Sequence, residues 1–149
     1  MNAPINLPAG NSFSTRLGSD GTSISYTVIT GLGAEGSTSG TDLQGISGNL
    51  AGHFALGGDI DAAASGAWGG GFMPISYFVG ILEGNGHTIT GLSINRPTAD
   101  FVGMFGEIGD SGIVRNLGLV NANVVGRSYV GGLAGEVYGT GRIEYSYVS

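Results

Sequence analysis

Residues 77–149 repeat one pattern three times, and this repetition constrains the fold more than any other feature of the chain. The copies are FVGILEGNGHTITGLSI (78–94), FVGMFGEIGDSGIVRNLGLV (101–120) and YVGGLAGEVYGTGRIEYSYVS (129–149). Each copy opens on an aromatic residue followed by Val-Gly and closes on a short apolar strand. Matching Ile89, Val114 and Ile143 gives spacings of 25 and 29 residues. A period of this size, with short strands and no helix between them, is typical of a β-solenoid.

The same match predicts which side chains stack inside the solenoid. Successive coils lie roughly 4.8 Å apart, so equivalent inward positions form apolar ladders. The predicted ladders are Ile89, Val114 and Ile143; Ile94, Leu119 and Val148; and Leu82, Phe105 or Met104, and Leu133. Between the first two ladders the chain bends at Gly91 and Asn116, residue types that tolerate a left-handed backbone.

Arg115 and Glu144 occupy equivalent positions next to inward residues of the repeat. They are therefore predicted to point outward from neighbouring coils and to form an exposed ion pair. An exposed pair of this kind contributes only about 0–1 kcal/mol to stability.

Composition restricts the partners that this chain can bind. Gly accounts for 31 of 149 residues, charged residues make up 11%, and Cys and Lys are absent. The net charge is −6, and the basic residues are five widely spaced arginines, at positions 16, 96, 115, 127 and 142. Nucleic acid is an unlikely partner because it requires a basic stripe. The absence of Cys excludes disulfides and thiolate metal sites.

The sequence also bears on export. The first residues, MNAPINLPAG, have neither the basic segment nor the apolar core of a signal peptide. No apolar run approaches the roughly 20 residues of a membrane-spanning helix. For an exported protein, the targeting segment is expected to have been removed.

The chain is predicted to be a single β-helix domain or a fragment of one, residues 1–149. Residues 1–22 form an irregular leader or an edge strand near 12–16, residues 23–76 form N-terminal coils and a cap, and residues 77–149 form the repeats. Ser23–Thr30 and His53–Ile60 are rich in β-branched and apolar residues and are predicted strands. Thr41–Leu50 is predicted to be a short capping helix, since Thr41 and Gln44 have the spacing of a capping box.

The order of motifs resembles a known family. The motifs are DLQGISGNLAGHFALGGDIDA (42–62), W-x5-P-I (68–75), F-x-G-x-x-x-G-x-GHTI-x-x-L-x-I (78–94), VGMFG (102–106) and VGGLAG (130–135). Over roughly Tyr26–Ser149 this order resembles the Glug-motif region of filamentous-haemagglutinin-like bacterial surface adhesins, exoproteins that use two-partner or autotransporter secretion. The resemblance implies a right-handed parallel β-helix with a role in surface attachment. It implies no catalytic, cofactor-binding or metal-binding residues.

Two pairs of carboxylates are candidates for chemistry. Asp59 and Asp61 lie in GGDID and share one face of a strand, so they are a candidate metal or acid pair, although a polar turn is the simpler interpretation. Glu107 and Glu136 follow the same step in successive repeats. Stacked one coil apart, they would approach the roughly 5 Å separation of retaining glycosidases. A solvated turn is the alternative.

Histidines and tyrosines supply the remaining candidates. His53 and His87 are too scattered for a metal site, and His87 is predicted to bond to backbone within its GNGHTI turn. Tyr138, Tyr145 and Tyr147 form a candidate aromatic face, or they pack within their own coil.

The predicted function is the structural and binding segment of a secreted or cell-surface bacterial adhesin. Its predicted partner is a glycan or protein on a host or neighbouring cell, with self-association through the C-terminal coil also expected. The alternatives are a β-helical polysaccharide-active enzyme and a self-assembling extracellular fibre subunit.

Overall fold

The structure, a computed structural model, describes residues 3–16 and 18–149. It is an all-β parallel solenoid of about four turns, which confirms the predicted fold class. One circuit of the chain is called a coil below. The N-terminal hairpin and first coil contain β1 (Gly10–Arg16), β2 (Ser23–Ile29) and a 3-10 helix (Gln44–Gly48). The second coil contains β3 (His53–Leu56), β4 (Ile60–Asp61), a 3-10 helix (Ala63–Ala67) and β5 (Ile75–Phe78).

The repeats form the remaining coils. The third coil contains β6 (Ile81–Glu83), β7 (Thr88–Thr90), β8 (Ser93–Asn95), β9 (Asp100–Val102) and β10 (Phe105–Ile108). The fourth contains β11 (Ile113–Arg115), β12 (Gly118–Val120), β13 (Asn123–Val125), β14 (Ser128–Val130) and β15 (Ala134–Val137). The fifth begins with β16 (Arg142–Glu144) and β17 (Tyr147–Val148).

Strands pair in parallel from coil to coil, and the hairpin formed by β1 and β2 is antiparallel. The largest sheet has the order β1-β2-β3-β6-β11-β16, with β1 at its edge. The core fills the inside of the coils. Within it Phe54, Phe78 and Phe105 form a continuous aromatic row, with ring centroids 6.4 and 4.8 Å apart. Burial of this row is a main contribution to stability, because each large aromatic removes a large apolar area from water.

The register of the ladders differs from the predicted one. Val114 pairs with Leu82 and Ile143, while Ile89 pairs with Ile60 and Leu119. The observed ladders are Phe54, Leu82, Val114 and Ile143; Ile60, Ile89, Leu119 and Val148; Ile75, Phe105 and Ala134; and Ile94 and Val124. The proposed neighbours Ile89–Val114 and Ile94–Leu119 are therefore wrong, and so is a wall that joins Leu82 to Phe105.

An insertion in the third coil explains the error. Glu83 and Thr88 flank four residues, whereas their counterparts Arg115 and Gly118 flank two. The extra residues in EGNGHT shift every later position of that copy, so matching the apolar residues by eye joins one ladder to the next. The bends were predicted better. Gly91 and Asn116 both have positive φ, of 75° and 54°, although they lie at different corners of the coil.

The predicted capping helix at 41–50 is replaced by a five-residue 3-10 helix, Gln44–Gly48. The capping box fails because Gln44 is used elsewhere. Its buried side chain donates to the Met73 carbonyl at 3.0 Å and accepts from the Met73 N–H at 2.9 Å. Asp42 instead of Thr41 accepts the backbone bond, from the N–H of Gly45 at 2.6 Å. The tertiary bond to the next coil thus determines this local structure.

Across the described residues, no helix has the length and apolar character needed to cross a membrane.

Candidate binding groove

The N-terminal residues 3–8 lie along the outside of the solenoid and are called the arm. The Ile5 N–H donates to the Asn85 carbonyl at 3.0 Å, and the Leu7 N–H donates to the Gly57 carbonyl at 3.0 Å. These bonds attach the arm to turns of the third and second coils. The arm therefore runs across the coils, and it forms one wall of a groove.

His87 holds the arm in place. Its ring is only 2% exposed, with Nδ1 3.0 Å from Asp59 Oδ1 and Nε2 2.7 Å from the Ile5 carbonyl oxygen. A carbonyl and an ionised carboxylate can only accept, so the ring must donate from both nitrogens and is an imidazolium in this arrangement. The bond from His87 to a backbone carbonyl was predicted, but its partner lies in the arm and not in the GNGHTI turn. His53 is exposed and lies 6.1 Å from the ring of Tyr26.

Asp59 completes the attachment of the arm. The Thr88 N–H donates to its Oδ1 at 2.9 Å and is the main cause that holds the pKa of Asp59 below its ordinary value. Slight burial opposes this shift, and the bond and charge of His87 add to it. Asp61 instead accepts from the Ala63 N–H at 2.9 Å. The two aspartates therefore have separate partners.

We expect Asp59→Asn to lower stability in a pH-dependent way. A carboxylate whose folded pKa is depressed stabilises the fold above its unfolded pKa, about 3.9, and loses that contribution as the pH falls through the folded value. The free energy of unfolding should be lower in the variant than in the wild type at pH 7, and the difference should shrink in acid. Urea unfolding between pH 7 and pH 2 measures this, with Asp61→Asn as the control. A constant difference across this range would contradict the assigned contact.

A polar network forms the floor of the groove. The side chain of Glu83, 9% exposed, accepts from Arg115 Nε at 2.6 Å, Asn116 Nδ2 at 3.0 Å and the Asn85 N–H at 2.9 Å. Arg115 Nη2 also donates to the Tyr26 hydroxyl at 3.2 Å. The network joins the hairpin to the third and fourth coils.

This network corrects the predicted ion pair. Arg115 and Glu144 are in register on neighbouring strands, as expected. However, the short contact of Arg115 is to Glu83, and Glu144 pairs with Arg142 on its own strand at 2.6 Å. Glu83 is the more buried acceptor and already carries two other donors, so it binds the guanidinium in preference to the exposed Glu144.

The groove itself, called the arm groove, has a volume of about 740 Å³. It is lined by the arm and hairpin on one side and by the column of turns on the other: Ala3, Ile5, Phe13, Glu83, Asn85, Gly86, Asn116, Tyr145, Ser146 and Tyr147. Tyr145 is 79% exposed and Tyr147 is 44% exposed. Such a combination of aromatic rings and a few convergent polar groups is typical of ligand-binding sites.

Two tyrosines of the arm groove are held by the backbone. Tyr145 adopts a positive φ of 47°, at the same corner where Asn116 has 54°. Tyr147 lies opposite Gly118, and a Cβ at Gly118 would fall 2.5 Å from the Tyr147 ring. Gly118 therefore leaves the space that the ring occupies. Tyr138 is not part of this group, because it packs beside Tyr77 at a centroid distance of 6.3 Å.

The structure brings Glu107 and Glu136 together, as predicted. They are in register on β10 and β15, and Tyr77 is in register with Glu107 on the other side. Their stacking is confirmed, while a catalytic role for the pair stays a hypothesis. In the described part of the chain, no group of three or more His, Cys, Asp or Glu side chains is placed to hold a metal ion.

The arm groove was only partly visible in the sequence. Tyr145 and Tyr147 were candidates, but Glu83, Phe13 and the arm were not. The extra residues of EGNGHT are the one local signal, since an insertion in one copy of a repeat indicates a turn with a role of its own.

Comparisons with known proteins agree with the repeat pattern. Residues 126–149 match the family model of the GLUG motif. Halomucin of Haloquadratum walsbyi is 44% identical over 136 residues, which is 81% of this chain and 2% of that protein. A protein of Evansella cellulosilytica, named as a Gly-rich membrane protein, is 42% identical over 95 residues, which is 58% of this chain and 11% of that protein. This chain thus spans a small part of the length of either relative. No solved structure matches it.

Proposed function

We propose that this chain is a rigid attachment module at a cell surface or outside the cell, and that its arm groove binds carbohydrate. The module is non-enzymatic and serves in an adhesin of the filamentous-haemagglutinin-like kind. Its partner is a glycan on a host or neighbouring cell.

The observation that carries the proposal is the exposed Tyr145 ring beside Tyr147, above the polar floor of the arm groove. A sugar ring presents C–H groups on its face and hydroxyls at its edge. Aromatic faces suit the former, and amide and carboxylate groups suit the latter. The tyrosines are set by backbone geometry, so binding costs little side-chain entropy.

The negative charge of the chain also favours a neutral ligand. With a net charge of −6 and few arginines, the protein repels strongly anionic polymers at long range. The only basic group among the named contacts of the groove floor, Arg115, is already paired with Glu83. A neutral saccharide therefore fits better than a uronic-acid polymer.

The relatives support the proposed location. One is named a membrane protein and the other has mucin in its name. Both names are compatible with a surface or extracellular setting, and we extend that setting to this chain by analogy.

A glycan array followed by titration calorimetry tests the proposal. We expect binding to neutral saccharides that Tyr145→Ala/Tyr147→Ala weakens roughly tenfold or more, because truncation of aromatic anchors removes most of the binding energy of a site. Tyr138→Ala is the matched control, since Tyr138 is 50% exposed and lies outside the groove. Binding that survives loss of both groove tyrosines, or binding only to glycan-free protein surfaces, would contradict the proposal.

A further inference from the structure

One end of the solenoid is open along a whole circuit of the chain. Among residues 3–16 and 18–149, the strands from β13 to β17 have a partner strand on one side only. Val125, Val130, Val137 and Val148 on this circuit are 40 to 52% exposed. The other end differs, since β1 covers the edge of β2 by antiparallel pairing. Unpaired strand edges of this kind accept another strand.

The backbone of β16 shows which groups are free. The Arg142 N–H donates to the Gly112 carbonyl at 2.9 Å, and the Glu144 carbonyl accepts from the Asn116 N–H at 3.1 Å. Because these groups alternate along a strand, the N–H and C=O of Ile143 face away from the fourth coil. A residue that presents both groups on an open edge can form a reciprocal pair of bonds with its own copy in an antiparallel arrangement.

The side chains of β16 are complementary to themselves in that arrangement. The outer column Glu83, Arg115, Glu144 alternates in sign from coil to coil. Antiparallel pairing centred on Ile143 sets Arg142 of the second copy opposite Glu144, which continues the alternation across the junction. The inner ladder of Leu82, Val114 and Ile143 continues in the same way with apolar residues.

We infer that the open coil is an interface for a second copy of this chain, formed head to head about a two-fold axis at Ile143. The interface is isologous, so each Arg142 meets the partner's Glu144 and the assembly closes as a dimer. Tyr138 and Val148 lie five residues on either side of Ile143, and the two-fold axis sets one opposite the other; they are 50% and 52% exposed. This assembly is independent of carbohydrate binding in the arm groove.

Charge reversal at β16 tests the inference. Sedimentation equilibrium should show a monomer–dimer equilibrium for the wild-type chain. Glu144→Arg makes the strand wholly positive and Arg142→Glu makes it wholly negative, so each variant alone should dimerise roughly tenfold more weakly or worse, because like charges then face each other across the strands. An equimolar mixture of the two variants should regain dimers, and native mass spectrometry should find them to be mixed.

Folding of both variants is checked by circular dichroism and thermal melting, since both side chains are at least one-third exposed. A wild-type chain that stays monomeric at millimolar concentration would overturn the inference. So would open oligomers larger than dimers, single variants that dimerise like the wild type, or a mixture that does not associate. Each result is read without any saccharide, and therefore does not depend on the outcome of the glycan experiment.

Discussion

Val114→Asp is expected to destabilise the solenoid by about 4 kcal/mol or more, because it buries an unpaired charge in a closed apolar ladder. Val114 is 0% exposed and lies between Leu82 and Ile143. No donor of the network around Glu83 lies inside the coils, so the new carboxylate would have to remain unsatisfied or be protonated. Denaturant unfolding monitored by circular dichroism measures the loss. It is a large fraction of the total stability of a domain of this size, about 5–15 kcal/mol.

Val125→Asp is the matched control for this change. Val125 is 40% exposed and lies on β13, so the same substitution leaves the carboxylate in water. Its cost should stay within about 1 kcal/mol. Equal losses at the two positions would show that Val114 does not occupy the interior of the coils.

Glu83→Ala is expected to cost about 3 kcal/mol, because removal of one partner of a buried pair leaves the others unsatisfied. The variant takes away the acceptor of Arg115, Asn116 and the Asn85 N–H together. The hairpin should also loosen, because Arg115 would lose the contact that directs it toward Tyr26. Equilibrium unfolding gives the cost, and hydrogen exchange of β1 and β2 reports the loosening.

Glu144→Ala is the comparison for the buried carboxylate. Glu144 pairs with Arg142 at the surface, with side chains 34% and 52% exposed. An exposed pair of this kind contributes about 0–1 kcal/mol. A cost at Glu144 as large as the cost at Glu83 would contradict the assignment of Glu83 as the principal partner of Arg115. The test is made at low protein concentration, where the chain is monomeric.

The sequence was sufficient to predict the class of fold because its signal is repeated. Aromatic-Val-Gly openings, Gly-rich turns and short apolar strands recur three times, and each copy supports the others. The left-handed corners at Gly91 and Asn116 followed from residue type alone. Stacking of Glu107 on Glu136 followed from the regular spacing of 29 residues in that part of the repeat.

The register could not be predicted because one copy contains an insertion. The two extra residues between Glu83 and Thr88 are invisible to a match that follows apolar residues, since Ile89 is as apolar as Leu82. The correct offset from Leu82 to Val114 becomes clear only when strands pair. The 3-10 helix at Gln44–Gly48 was missed for a related reason, because a bond to Met73 outweighs local helix signals.

The arm groove depended most on tertiary structure. His87 contacts Ile5, 82 positions away in the sequence, and Arg115 contacts Tyr26, 89 positions away. No periodicity connects residues at these separations. Exposed tyrosines near the C-terminus were recognisable as candidates, but the wall opposite them comes from the arm, which the sequence alone presented as an irregular leader or edge strand.

The most direct test of the proposed function is to map the bound saccharide by NMR. Chemical-shift changes in isotope-labelled protein should cluster at Asn116, Tyr145 and Tyr147 when a neutral oligosaccharide from the array is added. The column of Tyr77, Glu107 and Glu136 should remain unchanged. Shifts that cluster at this column and leave the arm groove unaffected would contradict the account, and would favour the stacked glutamates as the site of action on a polysaccharide.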